Sequence, residues 1–127
     1  MTSIKIPHNL DVGLLLIRFG LAAVFIVHGL MKFQNMDMTI VFFSGLGLPA
    51  FMAYVVAAVE TLGGIAMLIG YKSRIAGYLL AIVMAVAIIL VKSGAGFVGG
   101  FEFDLMLLLA SLGIALSGSG RYAIVKE

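Results

Sequence analysis

The stretch that decides the fold is residues 12–31, VGLLLIRFGLAAVFIVHGLM, which is apolar apart from Arg18 and His28. An α-helix rises about 1.5 Å per residue, so a run of roughly twenty apolar residues crosses the ~30 Å hydrocarbon core of a bilayer. The length of the run, the charge of Arg18 within it and the lack of a small-residue cleavage motif after it favour a transmembrane helix over a cleaved signal peptide. The sequence therefore predicts an integral membrane protein.

The composition of the whole chain agrees with this prediction. Of its 127 residues, 63% are hydrophobic and 11% are charged, whereas soluble domains average roughly 45–50% and 25%. The absence of cysteine excludes disulfides, thiolate metal sites and a dithiol relay within this chain. Only two histidines are present and we expect them on opposite sides of the membrane, so no metal site is predicted. The cations lie near helix ends and form no basic patch, so nucleic acid is not an expected partner.

Three more apolar runs follow the first. They predict helices at about residues 51–69, 75–91 and 102–117, separated by segments rich in glycine and charge. The connection at residues 33–50 is too apolar for a solvated loop, and its middle is too short to cross, which indicates a short interfacial or re-entrant segment. The predicted fold class is all-α integral membrane, a four-transmembrane-helix bundle that forms one domain over residues 1–127.

The distribution of cations predicts the orientation of the bundle. With four crossings, both termini and the connection between the second and third helices lie on one side of the membrane. That side carries Lys5, Lys72, Arg74, Arg121 and Lys126, and the other side carries Lys32 and Lys92. Because cytoplasmic loops are enriched in Lys and Arg, we expect a multi-pass protein of the cell membrane with cytoplasmic N- and C-termini.

Charged side chains within the apolar segments nominate a functional site. Arg18 and Lys32 share one stripe of the first helix with His28 beside it, and Glu60 lies on the packing stripe of the second helix. An ionised group in a bilayer costs roughly 2.5–3.5 kcal/mol on insertion scales, so such groups turn inward and pair. Taking Arg18 and Glu60 to lie at similar depths, we predict an Arg18–Glu60 ion pair. It could serve helix register alone, relay a proton or hold an anion or a carbonyl oxygen.

A second group of polar residues is predicted near the outer face. His28 and Lys32 lie one helical turn apart, where they could bind a carbonyl group such as a quinone head, or where Lys32 could simply reach the interface. Glu102 and Asp104 open the last helix, where carboxylates offset the helix dipole, and Glu102 could also complete the polar pocket. No residue is nominated as catalytic, and the candidate ligand-binding or polar-core residues are Arg18, His28, Lys32, Glu60 and Glu102.

The order of these motifs resembles the DoxX family of small four-helix membrane proteins. The matching elements are Arg18-x-Gly20, His28-Gly29-x-x-Lys32, Gly47-Leu48-Pro49, Glu60-x-x-Gly63-Gly64 with Gly70, Gly99-Gly100-x-Glu102 and Gly118-x-Gly120-Arg121. Together they cover nearly the whole chain. The sequence departs from the family pattern at Ser119, where many members have proline, and after Arg121, where Tyr122-Ala-Ile replaces the frequent Ser-Leu-Asp. The resemblance therefore implies no role for that tail.

The resemblance implies a quinone-linked or redox-stress role in the membrane. The leading hypothesis is a protein of the lipid bilayer that binds a quinone, or that serves as the membrane subunit of a quinone-linked oxidoreductase. Its partner would be a redox protein or another copy of the chain. Two alternatives stay open: a scaffold or assembly subunit whose charges only register the helices, and a small proton-coupled transporter in which Glu60 titrates. No internal repeat supports the transporter.

Overall fold

Two of the helix ends are set by a cap or a glycine in the local sequence. The first begins after Asn9, whose side-chain oxygen accepts a hydrogen bond from the Val12 N–H at 3.1 Å. The third ends at Gly70, whose positive φ of 75° suits a glycine. In the computed structural model, which describes residues 4–126, the helices are α1 (Leu10–Gln34), α2 (Met36–Gly45), α3 (Ala50–Ile69), α4 (Ser73–Ala87) and α5 (Glu102–Ser117). The described residues contain no strand, so the all-α prediction is confirmed.

Four segments are long and apolar enough to cross a membrane, as predicted. They are Leu10–Gln34, Ala50–Ile69, Ser73–Lys92 and Phe97–Ser117. The third includes the π-helical turn Ile88–Lys92, which extends α4, and the fourth includes the kinked turn Phe97–Phe101 before α5. The predicted short segment between the first two crossings is the apolar helix α2, ten residues long. Helix α1 is longer at both ends than the predicted residues 12–31.

Close contact between α1 and α3 sets how these two helices align. A Cβ at Gly29 would overlap the hydroxyl of Thr61, and a Cβ at Gly64 would lie 2.7 Å from Cγ1 of Ile26. Glycine at both positions thus lets the two backbones approach closely, the usual solution where helices pack in lipid. The alignment places the Gly64 level of α3 beside the middle of α1 and places Glu60 beside its end.

The core lies along the axis of the bundle and most outward side chains are apolar too. Buried residues from all four long helices form it: Leu21, Ala22, Phe25, Met67, Ala76, Leu80, Met84, Leu107 and Ile114. Helix α4 packs on α5 through Gly77, where a Cβ would lie 2.6 Å from the carbonyl oxygen of Ser111. An apolar exterior suits contact with lipid, because no outward-facing polar group then loses its hydration.

Candidate functional site

Arg18 is fully buried and donates only to main-chain carbonyl groups. Its Nε donates to the carbonyl of Met67 at 2.9 Å, and its Nη2 donates to Leu68 at 3.3 Å. Its Nη1 donates to Ser119 at 3.0 Å and to Tyr122 at 2.7 Å. A guanidinium is suited to this task because its donors form a planar fork that can reach several acceptors at once.

These bonds tie the chain that follows α5 to the end of α3. The carbonyls in the last turn of a helix have no partner within the helix, and a cation there meets the negative end of the dipole. The same end is reinforced by the Ile124 N–H, which donates to the carbonyl of Ile69 at 3.0 Å, and by the Val125 N–H, which donates to Gly70 at 3.3 Å. We call Arg18 and residues 118–125 the arginine clasp. In the clasp, the guanidinium joins two segments of the main chain.

The predicted Arg18–Glu60 ion pair is wrong. Glu60 pairs with Lys32, whose Nζ lies 2.9 Å from each carboxylate oxygen. The prediction assumed that Arg18 and Glu60 lie at the same depth. The contact of Gly29 with Thr61 instead places Glu60 near the end of α1. Lys32 at that level lies fourteen residues beyond Arg18, or roughly 21 Å at the helical rise.

The Lys32–Glu60 pair is enclosed at its acidic side and open at its basic side. The side chain of Glu60 is 6% exposed and that of Lys32 is 25% exposed. An ammonium has three N–H donors, and two of them are directed at Glu60. Lys32 therefore keeps one donor for a further acceptor.

This pair borders a cavity of about 570 Å³ that lies between the five helices. Most of its wall is apolar, with Phe25 from α1, Phe43 from α2, Val59 from α3, Met84 from α4 and Leu107 from α5. The polar side chains at the cavity are few, and they are His28, Lys32, Glu60, Lys92 and Asp104. Such a cavity fits a largely apolar ligand with a small number of polar atoms.

The structure brings together three of the five residues nominated from the sequence. His28, Lys32 and Glu60 line the cavity. Arg18 does not, and neither does Glu102, whose exposed carboxylate accepts the N–H of Gly99 at 2.8 Å. Glu102 thus caps the turn before α5.

Two residues at the cavity were missed as site residues. The sequence predicts a topological role for Lys92 and a helix-capping role for Asp104. Nζ of Lys92 lies 3.9 Å from Oδ2 of Asp104. A signal was present for Asp104, because Asp104, Leu107, Ser111 and Ile114 recur at helical spacing and the last three are buried.

No group of three His, Asp or Glu side chains among residues 4–126 is arranged to bind a metal ion. The polar atoms at the cavity instead come as ammonium groups, carboxylates and one imidazole. These groups can donate and accept hydrogen bonds at the oxygen atoms of an organic ligand.

Four apolar helices with inward charges define a multi-pass membrane protein. The DoxX family model matches residues 13–93, and the chain belongs to the DoxX family, as its motifs predicted. The chain is 50% identical over 116 residues to the protein named "Putative oxidoreductase CatD" of Bacillus subtilis (strain 168), across 91% of this chain and 87% of that protein. No solved structure matches the chain.

Proposed function

We propose that this protein binds a membrane-soluble quinone in the cavity, as a component of a quinone-linked redox system of the cell membrane. The observation that carries the proposal is the partly buried Lys32–Glu60 pair at the edge of a cavity with apolar walls. Placing an ion pair beside an apolar cavity within a membrane is costly unless it serves packing or a ligand. The relative named as an oxidoreductase supports the redox assignment.

The chemistry of the wall matches that of a quinone head. The free donor of Lys32 can bond a carbonyl oxygen, and the nearby His28 offers one ring nitrogen as a second donor or acceptor. Aromatic and aliphatic side chains such as Phe25 and Val59 suit the apolar ring. Sugars and phosphates carry many polar atoms and would lose more hydration than these few groups replace.

The position of the cavity supports access from the bilayer. Val55 of α3 and Leu79, Ile82 and Val86 of α4 line the cavity and are also exposed at the surface of the protein. The cavity therefore opens between α3 and α4 toward lipid. A quinone with an isoprenoid tail could place its head inside and leave its tail in the membrane.

The orientation proposed from the cations places the arginine clasp at the cytoplasmic face and the cavity in the outer half of the membrane. The chain contains no cysteine, so single Lys5→Cys and Ser93→Cys variants would report the two sides, since both positions are exposed. In intact cells, a membrane-impermeant maleimide should label Ser93→Cys and not Lys5→Cys. The reverse pattern would overturn the orientation.

The proposed partner is a redox protein that exchanges electrons with the bound quinone. Because the chain has no cysteine, any thiol chemistry in that system would belong to the partner. A second copy of the chain is the other proposed neighbour. Crosslinking in native membranes followed by mass spectrometry would distinguish a redox enzyme from a homo-oligomer.

The test of the function is co-purification of a quinone. Wild-type protein and Lys32→Met would be purified into lipid nanodiscs and extracted for mass spectrometry, with Lys72→Met as the control because Lys72 is exposed and outside the cavity. We expect quinone enrichment in the wild type and the control, and at least a tenfold loss in Lys32→Met, since a hydrogen bond to a charged group contributes ~1.5–3 kcal/mol. No enrichment over an unrelated membrane protein of similar size would contradict the proposal.

The alternative functions predict different results. For a scaffold, exchanging the charges with Lys32→Glu and Glu60→Lys should restore both folding and cellular function, because only pairing matters. For a proton-coupled transporter, pH-driven flux in liposomes should disappear in Glu60→Gln while the fold survives. Quinone enrichment without either result would favour the proposed function over both.

A further inference from the structure

A second pair of charged side chains, Lys92 and Asp104, lines the cavity, and its two members do not form a hydrogen bond with each other. Nζ of Lys92 and Oδ2 of Asp104 are 3.9 Å apart, beyond the ~2.7–3.2 Å of a hydrogen bond. Oδ2 of Asp104 is buried and has no hydrogen-bond donor among the described residues. The Lys32–Glu60 pair makes two bonds of 2.9 Å in the same cavity. The second pair is therefore an ion pair without a direct hydrogen bond between its members.

A group that would bridge Lys92 and Asp104 can be specified by its hydrogen bonds. A buried carboxylate oxygen without a donor is costly, and native proteins rarely leave one so. Between an ammonium and a carboxylate, the group that fits must accept a hydrogen bond from the first and donate one to the second. A hydroxyl does both, whereas a carbonyl oxygen only accepts.

We infer that Lys92 and Asp104 form a hydroxyl-binding subsite, through which the cavity prefers the quinol form of its ligand to the quinone form. The inference rests on the proposed function and adds which redox form is bound more tightly. Asp104 is then the residue that determines specificity. Lys32 does not discriminate, because its free donor can bond a carbonyl or a hydroxyl oxygen equally well.

The test measures two affinities on one protein. Decylubiquinol and decylubiquinone would be titrated anaerobically onto wild-type protein in nanodiscs, with empty nanodiscs subtracted to remove partition into lipid. We expect the quinol to bind roughly tenfold more tightly, since a hydrogen bond to a charged acceptor contributes at least that factor. Asp104→Leu should lower the ratio to about one by weakening quinol binding alone.

Two controls keep the result specific. Asp37→Leu removes an exposed carboxylate on α2 that does not line the cavity, and it should keep the wild-type ratio. The dimethyl ether of decylubiquinol has no hydroxyl group, so on the wild type it should bind no more tightly than the quinone. This second control needs no variant and stays decisive if Asp104→Leu does not fold.

The outcomes separate the inference from the proposed function. If neither redox form binds the wild type, the proposed function fails and the inference fails with it. If both forms bind with equal affinity, or if the dimethyl ether matches the quinol, the quinone site stands and the hydroxyl subsite is overturned. An unchanged ratio in folded Asp104→Leu would overturn it as well.

Discussion

The two ends of the bundle each hold a cation within an apolar span, and the two cations have opposite kinds of partner. At the arginine clasp, the donors of Arg18 meet main-chain carbonyls of α3 and of residues 118–125, and the side chain is fully buried. At the cavity, Lys32 meets one side-chain carboxylate and has one donor that Glu60 does not use. All the bonds of Arg18 hold segments of the main chain together, whereas Lys32 can still donate a hydrogen bond to a ligand.

This difference teaches how to separate structural from functional charges in a membrane protein. Main-chain carbonyls at a helix end need a donor whatever the protein does. A carboxylate such as Glu60 within a membrane span has no such need and costs free energy on its own. The charge pair that borders a cavity is therefore the better candidate for ligand binding, and the following variants test that distinction.

The largest expected effect is at the clasp. Arg18→Met should destabilise the protein by about 3–5 kcal/mol, because several main-chain carbonyls lose their donor and each can cost ~1–3 kcal/mol. Unfolding in detergent micelles would measure the loss, and limited proteolysis should show early cleavage within residues 118–125. Arg121→Met, an exposed position whose main-chain N–H still bonds Asp11, should change stability by under ~0.5 kcal/mol. Equal stability of the two variants would contradict a structural role for Arg18.

The next effect concerns the contact that aligns α1 with α3. Gly29→Ala should cost about 2 kcal/mol, because the added Cβ overlaps Thr61 and the backbones must separate. The matched control on the same helix is Gly20→Ala, where a Cβ meets no atom within 4 Å. That change should be neutral or stabilising by up to ~1 kcal/mol. If both variants behaved alike in thermal unfolding, the close approach at Gly29 would not be limiting.

A smaller loss of stability is expected at the charged pair, with a larger effect on binding. Glu60→Gln should cost about 1–2 kcal/mol, less than a fully buried pair, because Lys32 is 25% exposed and can turn toward solvent. Replacing both residues by Met should bring stability back to within ~1 kcal/mol of the wild type. Quinone binding should stay lost in the double variant. Recovery of binding together with stability would assign the pair to packing alone.

The smallest effect on stability is expected at the opening of the cavity. Ile82→Phe enlarges a side chain that is exposed toward lipid and lines the opening, so unfolding should shift by under ~0.5 kcal/mol. The rate of quinone association should fall several-fold because the path between α3 and α4 is narrower. Ile75→Phe makes the same exchange at an exposed position of α4 outside the cavity, and its association rate should match the wild type.

The candidate site was only partly predictable from the sequence. His28 and Lys32 share one helix, so their proximity follows from local geometry. Glu102 and Asp104 are two residues apart, which turns them by about 200° around the helix axis. Which of the two faces the cavity depends on how α5 packs, and the structure selects Asp104.

The sequence by itself determined the four membrane-spanning segments, the short apolar helix between the first two and the family. Hydropathy and length are properties of each segment alone, and they can be compared directly with the thickness of a bilayer. Only the tertiary structure decided which charged side chains form ion pairs. Pairing depends on the alignment of α1 with α3, and contacts at Gly29 and Gly64 set that alignment. Lys32, the observed partner of Glu60, lies fourteen residues beyond Arg18, the predicted partner, which is roughly 21 Å along the helix axis.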